Sequence, residues 1–401
     1  MVSILLVSCS GGKNNSVKPE KLAVTTKDLY IVNKEIIPGA NQTKQYVKQI
    51  GSQNFAVVAN QTSLIKKDDK DIHLVDFLHQ KFTNQLKKVF APEHGFRGKA
   101  DAGEHVKNGI DSKTKLPIIS LYGKNKKPTS EQLKGIEIII FDIQDVGVRF
   151  YTYISTLHYV MEACAENNIK LVVLDRPNPN AHYIDGPLLE KEQKSFVGMH
   201  PVPLVYGMTI GEYAKMINGE KWLENGVQCD LTVIPIKNYT HKSKYVLPVK
   251  PSPNLPNAKA INLYASLAFF EGTNVSCGRG TKKQFQIFGS PYLPKEKFPY
   301  TFIPKSNFGA KHPKHEGKKC FGKNLEQTVY LNTLRLNWLL ETYRNTKDTS
   351  KFFNPFFKKL AGTRKLQKQI KQGLTEIEIK NSWQKDLTEF KKTRSKYLMY
   401  P

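Results

Sequence analysis

The sequence predicts an α/β fold with a mainly parallel sheet, followed by a second, smaller C-terminal α+β domain. Two observations support this prediction. Short apolar runs alternate with helical patterns from about residue 41 to residue 236, as they do in domains built around a parallel sheet. Beyond residue 264 the pattern changes to helical stretches mixed with loops rich in Pro, Phe and Lys. A chain of 401 residues is long enough for two domains.

Five apolar runs are predicted to form the strands of the parallel sheet. They are short and rich in β-branched residues, which favours strands over helices. They cover residues 55–60, 86–92, 135–145, 169–177 and 229–236.

Three stretches between these runs have the spacing of amphipathic helices. They are HLVDFLHQKF (73–82), TYISTLHYVMEACAENN (152–168) and TIGEYAKMING (209–219). The third begins at Thr209, a good N-cap residue, and ends at Gly219, as a short helix does.

The C-terminal region is predicted to begin near residue 251. The segment KPSPNLPNAKAINLY (250–264) contains three prolines and three asparagines, so we interpret it as an ordered connection. Helices are predicted at 332–343 and 363–373. The resulting division is 1–27 for a signal remnant and linker, 28–250 for the sheet domain and 251–401 for the C-terminal domain.

The N-terminal residues MVSILLVSCS resemble a lipoprotein signal. The sequence Leu6-Val7-Ser8-Cys9 matches a bacterial lipobox, in which cleavage before Cys9 exposes a thiol for lipidation. We therefore predict a lipoprotein of the cell envelope, periplasmic or attached to the outer membrane, with an ordinary apolar N-terminus as the alternative. No basic residue precedes the apolar run, so we expect the true start to lie upstream. No apolar segment reaches the roughly 18 residues of a membrane-spanning helix.

No metal or cofactor is predicted. The cysteines after Cys9 are scattered without a C-x-x-C pair, so buried free thiols are expected. His94, His105 and nearby carboxylates match no common ligand spacing. The chain also lacks a G-x-G-x-x-G fingerprint after its first strand, a P-loop and a G-x-S-x-G motif.

The net charge of +26 indicates an anionic partner, a membrane surface or simply a lysine-rich surface. Nucleic acid is not expected as the partner, because the basic residues are spread along the whole chain and no recognised nucleic-acid module is present.

Polar residues follow the first four predicted strands. Because the carboxyl ends of parallel strands meet at one edge of a sheet, these residues predict a ligand-binding crevice there; helix caps are the alternative. The residues are Asn60 after the first strand, Glu93 and His94 after the second with Arg97 in the same loop, Asp142, Gln144 and Asp145 after the third, and Arg176 and Asn178 after the fourth.

Glu93 is the leading candidate for carboxylate acid/base chemistry. It begins the glycine-bearing loop APEHGFRGKADAGE (91–104), and glycines allow backbone to approach a ligand closely. Glycoside hydrolysis needs a proton donor for the leaving oxygen and a second group that attacks or stabilises the oxocarbenium-like centre.

Two further loops carry groups that bind sugars. In FDIQDVGVRFYTY (141–153) the acidic and amide side chains can bond hydroxyls, Tyr151 and Tyr153 can stack on a pyranose, and Arg149 can grip a carboxylate. Core packing is the alternative for the tyrosines. EGTNVSCGRGT (271–281) offers Glu271, Asn274 and Arg279, with a glycine-rich turn as the alternative.

Eleven short sequence motifs occur in this order along the chain: APEHGFRG, DAGE, LPIISLYG, FDIQDVGVRFYTY, LDRPNP, DGP, FVG, YGMTIGEYA, PSPNLP, EGTN and GRGT. Together they closely resemble the bacterial exo-β-N-acetylmuramidase family, formerly a domain of unknown function. The resemblance implies a Rossmann-like domain and a smaller C-terminal domain with the active site between them. It also implies release of N-acetylmuramic acid from the non-reducing ends of peptidoglycan fragments or muropeptides, in cell-wall recycling.

The resemblance implies that Glu93 is the catalytic acid/base. For the second group it leaves Glu104, Asp142, Asp145 and the acetamido oxygen of the substrate open. Arg149, Arg176 or Arg279 would pair with the lactyl carboxylate of muramic acid. The alternative function is a lipoprotein that binds cell-wall glycan without turnover.

Overall fold

A computed structural model describes residues 34–68, 70–98 and 108–401. The predicted lipidation site Cys9 and the catalytic candidate Glu104 lie outside these ranges, as does His105. Residues Ile36–Pro401 form one compact unit.

A sheet of seven strands, in the order β5-β6-β4-β1-β7-β8-β9, forms the centre of the fold. All neighbouring strands are parallel except the edge pair β5 and β6. The strands are β1 (Phe55–Ala59), β4 (Leu86–Ala91), β5 (Gly109–Ile110), β6 (Pro117–Ser120), β7 (Ile138–Asp142), β8 (Lys170–Leu174) and β9 (Leu231–Ile234); β2 (Leu64–Lys67) and β3 (Lys70–His73) form a separate antiparallel hairpin.

The helices of this part of the chain connect the parallel strands. They are α1 (Thr43–Ile50), α2 (Leu74–Lys81), α3 (Ser130–Leu133), α4 (Tyr153–Glu166) and α5 (Ile210–Gly219). Helix α5 begins with a capping box, in which Thr209 and Glu212 each accept from the other's backbone N–H.

Side chains of the central strands alternate between two apolar cores. Val57 and Ile140 pack with residues of α1 and α2 on one face of the sheet. Val58 and Phe141 pack with residues of α4 and α5 on the other. Because both faces are covered, these strands are continuous apolar runs in the sequence rather than alternating ones.

The C-terminal part contains a second, antiparallel sheet and a group of helices. Three strands lie in the order β10-β12-β11. The elements are α6 (Ala258–Leu267), β10 (Ile287–Ser290), β11 (Tyr300–Phe302), β12 (Cys320–Asn324), α7 (Asn337–Asn345), α8 (Phe357–Ala361), α9 (Lys365–Lys371), α10 (Glu376–Asn381) and α11 (Gln384–Ser395). The predicted fold class is therefore confirmed, whereas the domain boundary at residue 251 stays a prediction.

Each of the five predicted strands is present within its run, but the connection predicted at 250–264 is wrong in its second half. Helix α6 begins at Ala258, because the Asn257 side chain accepts from the N–H of Ala260 and caps the first turn. The apolar side chains that follow are buried in the core.

The helix predicted at 332–343 starts five residues late, at Asn337. The backbone N–H groups of Leu334 and Arg335 donate instead to the side chains of Asp185 and Ser266, at 2.9 Å each. Tertiary hydrogen bonds thus replace the first helical turn that the apolar spacing predicts.

The end of the chain packs back onto the parallel sheet. The Tyr400 hydroxyl donates to Asp175, the residue after β8, at 2.6 Å, and burial raises the pKa of Asp175 to about 7. Within the described ranges the four cysteines are buried and unbridged, as predicted, and no helix there is long and apolar enough to cross a membrane.

Candidate active site

A cavity of about 510 Å³ opens where the loops of the parallel sheet meet the C-terminal part of the chain. Its volume is in the range of small-molecule sites. Glu93, Tyr122 and Thr152 contribute from the first part, and Glu271 and Arg279 from the second. The first three follow β4, β6 and β7, so the cavity lies at the carboxyl edge of the parallel strands.

The loop after β4 points Glu93 into the cavity by a tight turn. The N–H of Gly95 donates to the carbonyl of Pro92 at 3.0 Å, and both His94 and Gly95 have positive φ, +70° and +77°. A histidine in the left-handed region costs conformational energy, and such residues gather at functional sites. His94 also lines the cavity, and its contact with substrate stays a prediction.

One hydroxyl group holds the Glu93 carboxylate, and a second residue with a hydroxyl group lies beside it. The Thr152 hydroxyl, at the start of α4, donates to its Oε2 atom at 2.6 Å. Tyr122 lies on the same cavity wall, and burial together with this neighbouring carboxylate raises the pKa of Tyr122. Glu93 is half-buried, and these two neighbours come from the loops after β6 and β7.

A second loop, after α6, brings an ion pair to the same cavity. Glu271 Oε1 lies 2.9 Å from Arg279 Nη1, and Arg279 also donates to the carbonyl of Gly309 at 3.2 Å. Glycine is required at position 280, because its φ is +79° and a Cβ there would lie 2.6 Å from Pro313.

Lys314 binds several backbone carbonyls of this second loop. Its ammonium group donates to the carbonyls of Phe270 at 2.8 Å and Val275 at 3.1 Å, and to that of Thr273. The neighbouring His315 ring bonds the carbonyl of Asn274 at 2.6 Å. These contacts gather the backbone between Glu271 and Arg279 around one cation.

Aromatic rings form much of the cavity wall. Phe150 and Tyr264 meet edge to face with centroids 5.2 Å apart, and Tyr151 lies 6.1 Å from Tyr264. The Tyr151 hydroxyl donates to the carbonyl of Pro251 at 2.7 Å. Aromatic faces beside a few polar groups suit a sugar, whose ring is apolar on its faces and polar at its rim.

Family models decide what kind of site this is. The N-terminal model of exo-β-N-acetylmuramidase NamZ matches residues 55–259, and its C-terminal model matches residues 262–400. The chain belongs to the NamZ family. The family predicted from the eleven sequence motifs is thus confirmed, and with it the enzyme class, a glycosidase.

Individual NamZ-family relatives agree with this assignment. The chain is 40% identical over 376 residues to the peptidoglycan β-N-acetylmuramidase NamZ of Bacillus subtilis (strain 168), covering 88% of this chain and 89% of that one. Two crystal structures of DUF1343 family proteins from Bacteroides fragilis NCTC 9343 superpose on it with TM-scores of 0.83 and 0.78, at 45% and 28% identity. Each covers 91% of this chain and 99% of its own.

Five residues predicted for the site of this NamZ-family chain line the cavity: Glu93, His94, Tyr151, Glu271 and Arg279. The other described candidates do not line it, and their contacts are internal. Their roles in substrate binding or catalysis stay predictions, and the structure gives each of them a structural partner.

Asp142 and Arg176 form a buried ion pair with each other. Arg176 Nε lies 2.6 Å from Asp142 Oδ1, and its Nη2 atom also donates to the carbonyl of Leu64 at 3.0 Å. This pair ties β7, the loop after β8 and the β2–β3 hairpin together. A fully buried carboxylate that is bound to arginine is not placed to attack a sugar in the cavity.

Asp145 is also buried away from the cavity. It accepts from the N–H of Gly147 at 2.8 Å and from the Tyr206 hydroxyl, and burial raises its pKa to about 6. Gln144 donates to the carbonyl of Pro177 at 2.7 Å. Asn178 donates to the carbonyl of Met208 at 2.8 Å.

Arg97 anchors the Glu93 loop instead of facing the cavity. Its guanidinium group pairs with Asp76 at 3.0 Å and Asp111 at 2.9 Å, and it lies 4.3 Å from the ring centroid of Phe96. Phe96 in turn packs edge to face on His73. The described part of the loop that carries the candidate acid is therefore also held by packing and charge at Phe96 and Arg97.

Asn60, Tyr153 and Asn274 support the cavity from outside it. Asn60 donates to the Tyr153 hydroxyl at 2.8 Å, and that hydroxyl lies 3.3 Å from the carbonyl of Pro251. The backbone N–H of Asn274 donates to the carbonyl of Phe352 at 2.8 Å. Arg149 is fully buried and binds backbone carbonyls.

Within the described ranges, one group of acidic side chains has ligand atoms close enough for a metal: Glu162, Glu166 and Glu224. None of them lines the cavity. Lys127 already pairs with Glu162 at 2.8 Å and with Glu166 at 2.6 Å, so a cation occupies this cluster without a metal.

Sequence reasoning missed several lining residues, among them Tyr122, Lys126, Thr152 and Phe196. Tyr122, Thr152 and Phe196 lie within the motifs LPIISLYG, FDIQDVGVRFYTY and FVG respectively. The motifs that carry the family resemblance could therefore have indicated these three residues. Lys126 belongs to the run GKNKK, which has the composition of a solvated turn.

Proposed function

We propose that this chain is an exo-acting glycosidase that releases N-acetylmuramic acid from the non-reducing ends of peptidoglycan fragments. The observation that carries the proposal is the placement of Glu93 in an aromatic-walled cavity, with its carboxylate held by the Thr152 hydroxyl and flanked by Tyr122. The named relative from Bacillus subtilis, a peptidoglycan β-N-acetylmuramidase, supports the substrate class. We further propose that the released sugar enters cell-wall recycling.

In the proposed mechanism Glu93 protonates the glycosidic oxygen as the bond to the departing sugar breaks. The anomeric carbon then gains positive charge, which a second group must attack or stabilise. Glu271 is the other carboxylate among the described residues that line the cavity, and Arg279 holds it in place. Glu104 and the acetamido oxygen of the substrate remain the alternatives for this role.

We do not assign that role to Asp142 or Asp145. Both are buried by other protein groups and neither lines the cavity. A nucleophile or stabilising carboxylate has to lie within a few ångströms of the anomeric carbon, which requires that it face the bound sugar.

The proposal predicts selective turnover of muramic acid derivatives. Purified protein is incubated with an aryl β-N-acetylmuramide and with the matching aryl β-N-acetylglucosaminide, and phenol release is followed. We expect release from the muramide and at least about tenfold slower release from the glucosaminide, because only the muramide can use a charged contact to its lactyl carboxylate. Equal rates would remove the proposed specificity. Saturable binding of the muramide without release would support the alternative, a glycan-binding lipoprotein.

We also propose that the protein is a lipoprotein of the cell envelope, anchored through Cys9. The support is the lipobox-like sequence Leu6–Cys9. In cells, the protein is expected in the membrane pellet after fractionation, and the Cys9→Ser variant in the soluble fraction, because a tethered acyl chain supplies the membrane affinity. Identical fractionation of the two proteins would contradict this proposal. The positive net charge of +26 would also concentrate anionic wall fragments near the enzyme.

A further inference from the structure

Three lysines of one loop have three different environments. The loop follows β6 and contains Lys124, Lys126 and Lys127. Lys124 is exposed. Lys127 forms ion pairs with Glu162 and Glu166. Lys126 is half-buried and lines the cavity that contains Glu93.

Lys126 is held over an aromatic ring of the cavity wall. Its ammonium nitrogen lies 4.8 Å from the ring centroid of Phe196, a distance at which a cation is attracted to the ring face. Phe196 is itself packed between Tyr122, at 6.0 Å, and Tyr159, at 6.3 Å between centroids. Contact with this packed aromatic cluster therefore restricts the position of the Lys126 ammonium group.

The cavity has a second cation, but that one is already paired. Arg279 lies 2.9 Å from Glu271 and donates to the Gly309 carbonyl. For Lys126, no ion pair to any carboxylate occurs within residues 34–68, 70–98 and 108–401. Of the two lining cations, Lys126 is thus the one whose charge no described acid neutralises.

We propose that Lys126 binds the lactyl carboxylate of the muramoyl substrate and so distinguishes muramic acid from glucosamine. This inference rests on the proposed function and assigns its specificity to one residue. An anionic substrate must enter a cavity that already contains the carboxylates of Glu93 and Glu271. An ammonium group that no acid of the described residues neutralises supplies the compensating charge and a hydrogen-bond donor to the incoming carboxylate.

The arginines predicted from the sequence for this role fit it less well. Arg149 and Arg176 are buried outside the cavity, against backbone carbonyls and Asp142 respectively. To bind a substrate carboxylate, Arg279 would have to share its guanidinium group with Glu271. Lys126 needs no such exchange.

The test is a thermodynamic cycle in which Lys126 of the protein and the lactyl carboxylate of the substrate are changed separately and together. kcat/KM is measured for wild type and Lys126→Gln, with an aryl β-N-acetylmuramide and with its lactyl carboxamide, which has the same shape without the charge. We expect Lys126→Gln to lower kcat/KM for the acid about tenfold, the lower part of the range for a hydrogen bond to a charged group because the site is half-exposed. For the carboxamide we expect less than about a twofold change.

Matched variants separate this contact from general effects of charge and folding. Lys124→Gln removes the same charge from the same loop, and we expect unchanged kcat/KM for both substrates. Lys126→Arg keeps the cation and is expected to recover most of the preference for the acid. The thermal midpoint of each variant is compared with wild type to confirm that the loop change leaves the fold intact.

Several outcomes would overturn the assignment. An equal loss with acid and carboxamide would show that Lys126 does not sense the carboxylate. A coupling that appears for Arg279→Gln and not for Lys126→Gln would assign the contact to Arg279. If wild type releases phenol from neither substrate, the proposed function itself has failed. That result differs from one in which both substrates are hydrolysed but the effects of changing Lys126 and the carboxylate are independent, which would overturn only the role of Lys126.

Discussion

The Glu93→Gln variant is expected to lose nearly all turnover of a muramic acid–glucosamine disaccharide. Glutamine keeps the size of the side chain and an oxygen that can accept from Thr152, but it cannot give a proton to the leaving sugar. General acid catalysis contributes about 10²- to 10⁴-fold to such reactions, so kcat should fall by that factor. The measurement is product formation by chromatography under saturating substrate.

The control for Glu93→Gln is a carboxylate that does not line the cavity. Glu131 is exposed on the short helix α3, and Glu131→Gln is expected to retain full activity. The Glu93→Gln variant should still bind the disaccharide without turning it over, because the glutamine amide fills the position of the carboxylate. A Glu93→Gln protein that binds the disaccharide and turns it over within about threefold of wild type would exclude Glu93 as the acid.

The largest loss of stability is expected from Arg149→Met. Arg149 is 0% exposed and donates to the carbonyls of Pro187 and Ala361 at 2.7 Å, of Val202 at 2.8 Å and of Leu360 at 3.3 Å. The last residues of α8 leave carbonyls without helical partners, and this guanidinium group satisfies two of them. Leu360 also lines the cavity.

Two opposing terms decide the result for Arg149→Met. Burial lowers the pKa of Arg149 to about 9, so the charge is held in an unfavourable environment, and methionine would remove that cost. Methionine would also leave three carbonyls unpaired, each costing about 1–3 kcal/mol, because the fourth, that of Val202, also accepts from the N–H of Leu189 at 3.2 Å. We expect the second effect to dominate and the free energy of unfolding to fall by at least about 3 kcal/mol.

Denaturant unfolding of wild type, Arg149→Met and Arg364→Met provides the comparison. Arg364 is exposed, and its replacement should change the free energy of unfolding by less than about 0.5 kcal/mol. An Arg149→Met protein as stable as wild type would mean that relief of the buried charge outweighs the lost hydrogen bonds, as happens at some buried ionic sites.

Local patterns in the sequence predict five of the seven strands of the central sheet; β5 and β6, of two and four residues, are not among them. Strands such as β1 and β7 are buried on both faces, and this burial leaves a continuous apolar run that is visible in the chain itself. Helix α6 was missed because Pro256 and Asn257 are typical of turns, and only the packing of the following apolar residues against the core makes the segment helical. Local propensity and tertiary packing disagree there, and packing dominates.

The candidate site was predicted best where one strand end decides it. Glu93 follows β4 directly, so its place at the edge of the sheet follows from the strand alone. Arg149 is predicted to bind substrate because its loop is dense in groups that bind sugars and its guanidinium group can grip a carboxylate. That role stays a prediction, and the carbonyls of Leu360 and Ala361 that it binds are 211 and 212 residues away in sequence. No local pattern indicates such a partner. Lys126 was missed for the converse reason, since its neighbours are lysines that face solvent or form ion pairs.

If Glu93 donates a proton to the departing group, the effect of its replacement must depend on how much help the leaving group needs. kcat/KM of Glu93→Gln is compared with wild type for a disaccharide and for an aryl muramide whose phenol is acidic enough to leave without protonation. We predict a loss of about 10²-fold or more for the disaccharide and of less than about tenfold for the activated aryl substrate. Equal losses for the two substrates would contradict proton donation by Glu93.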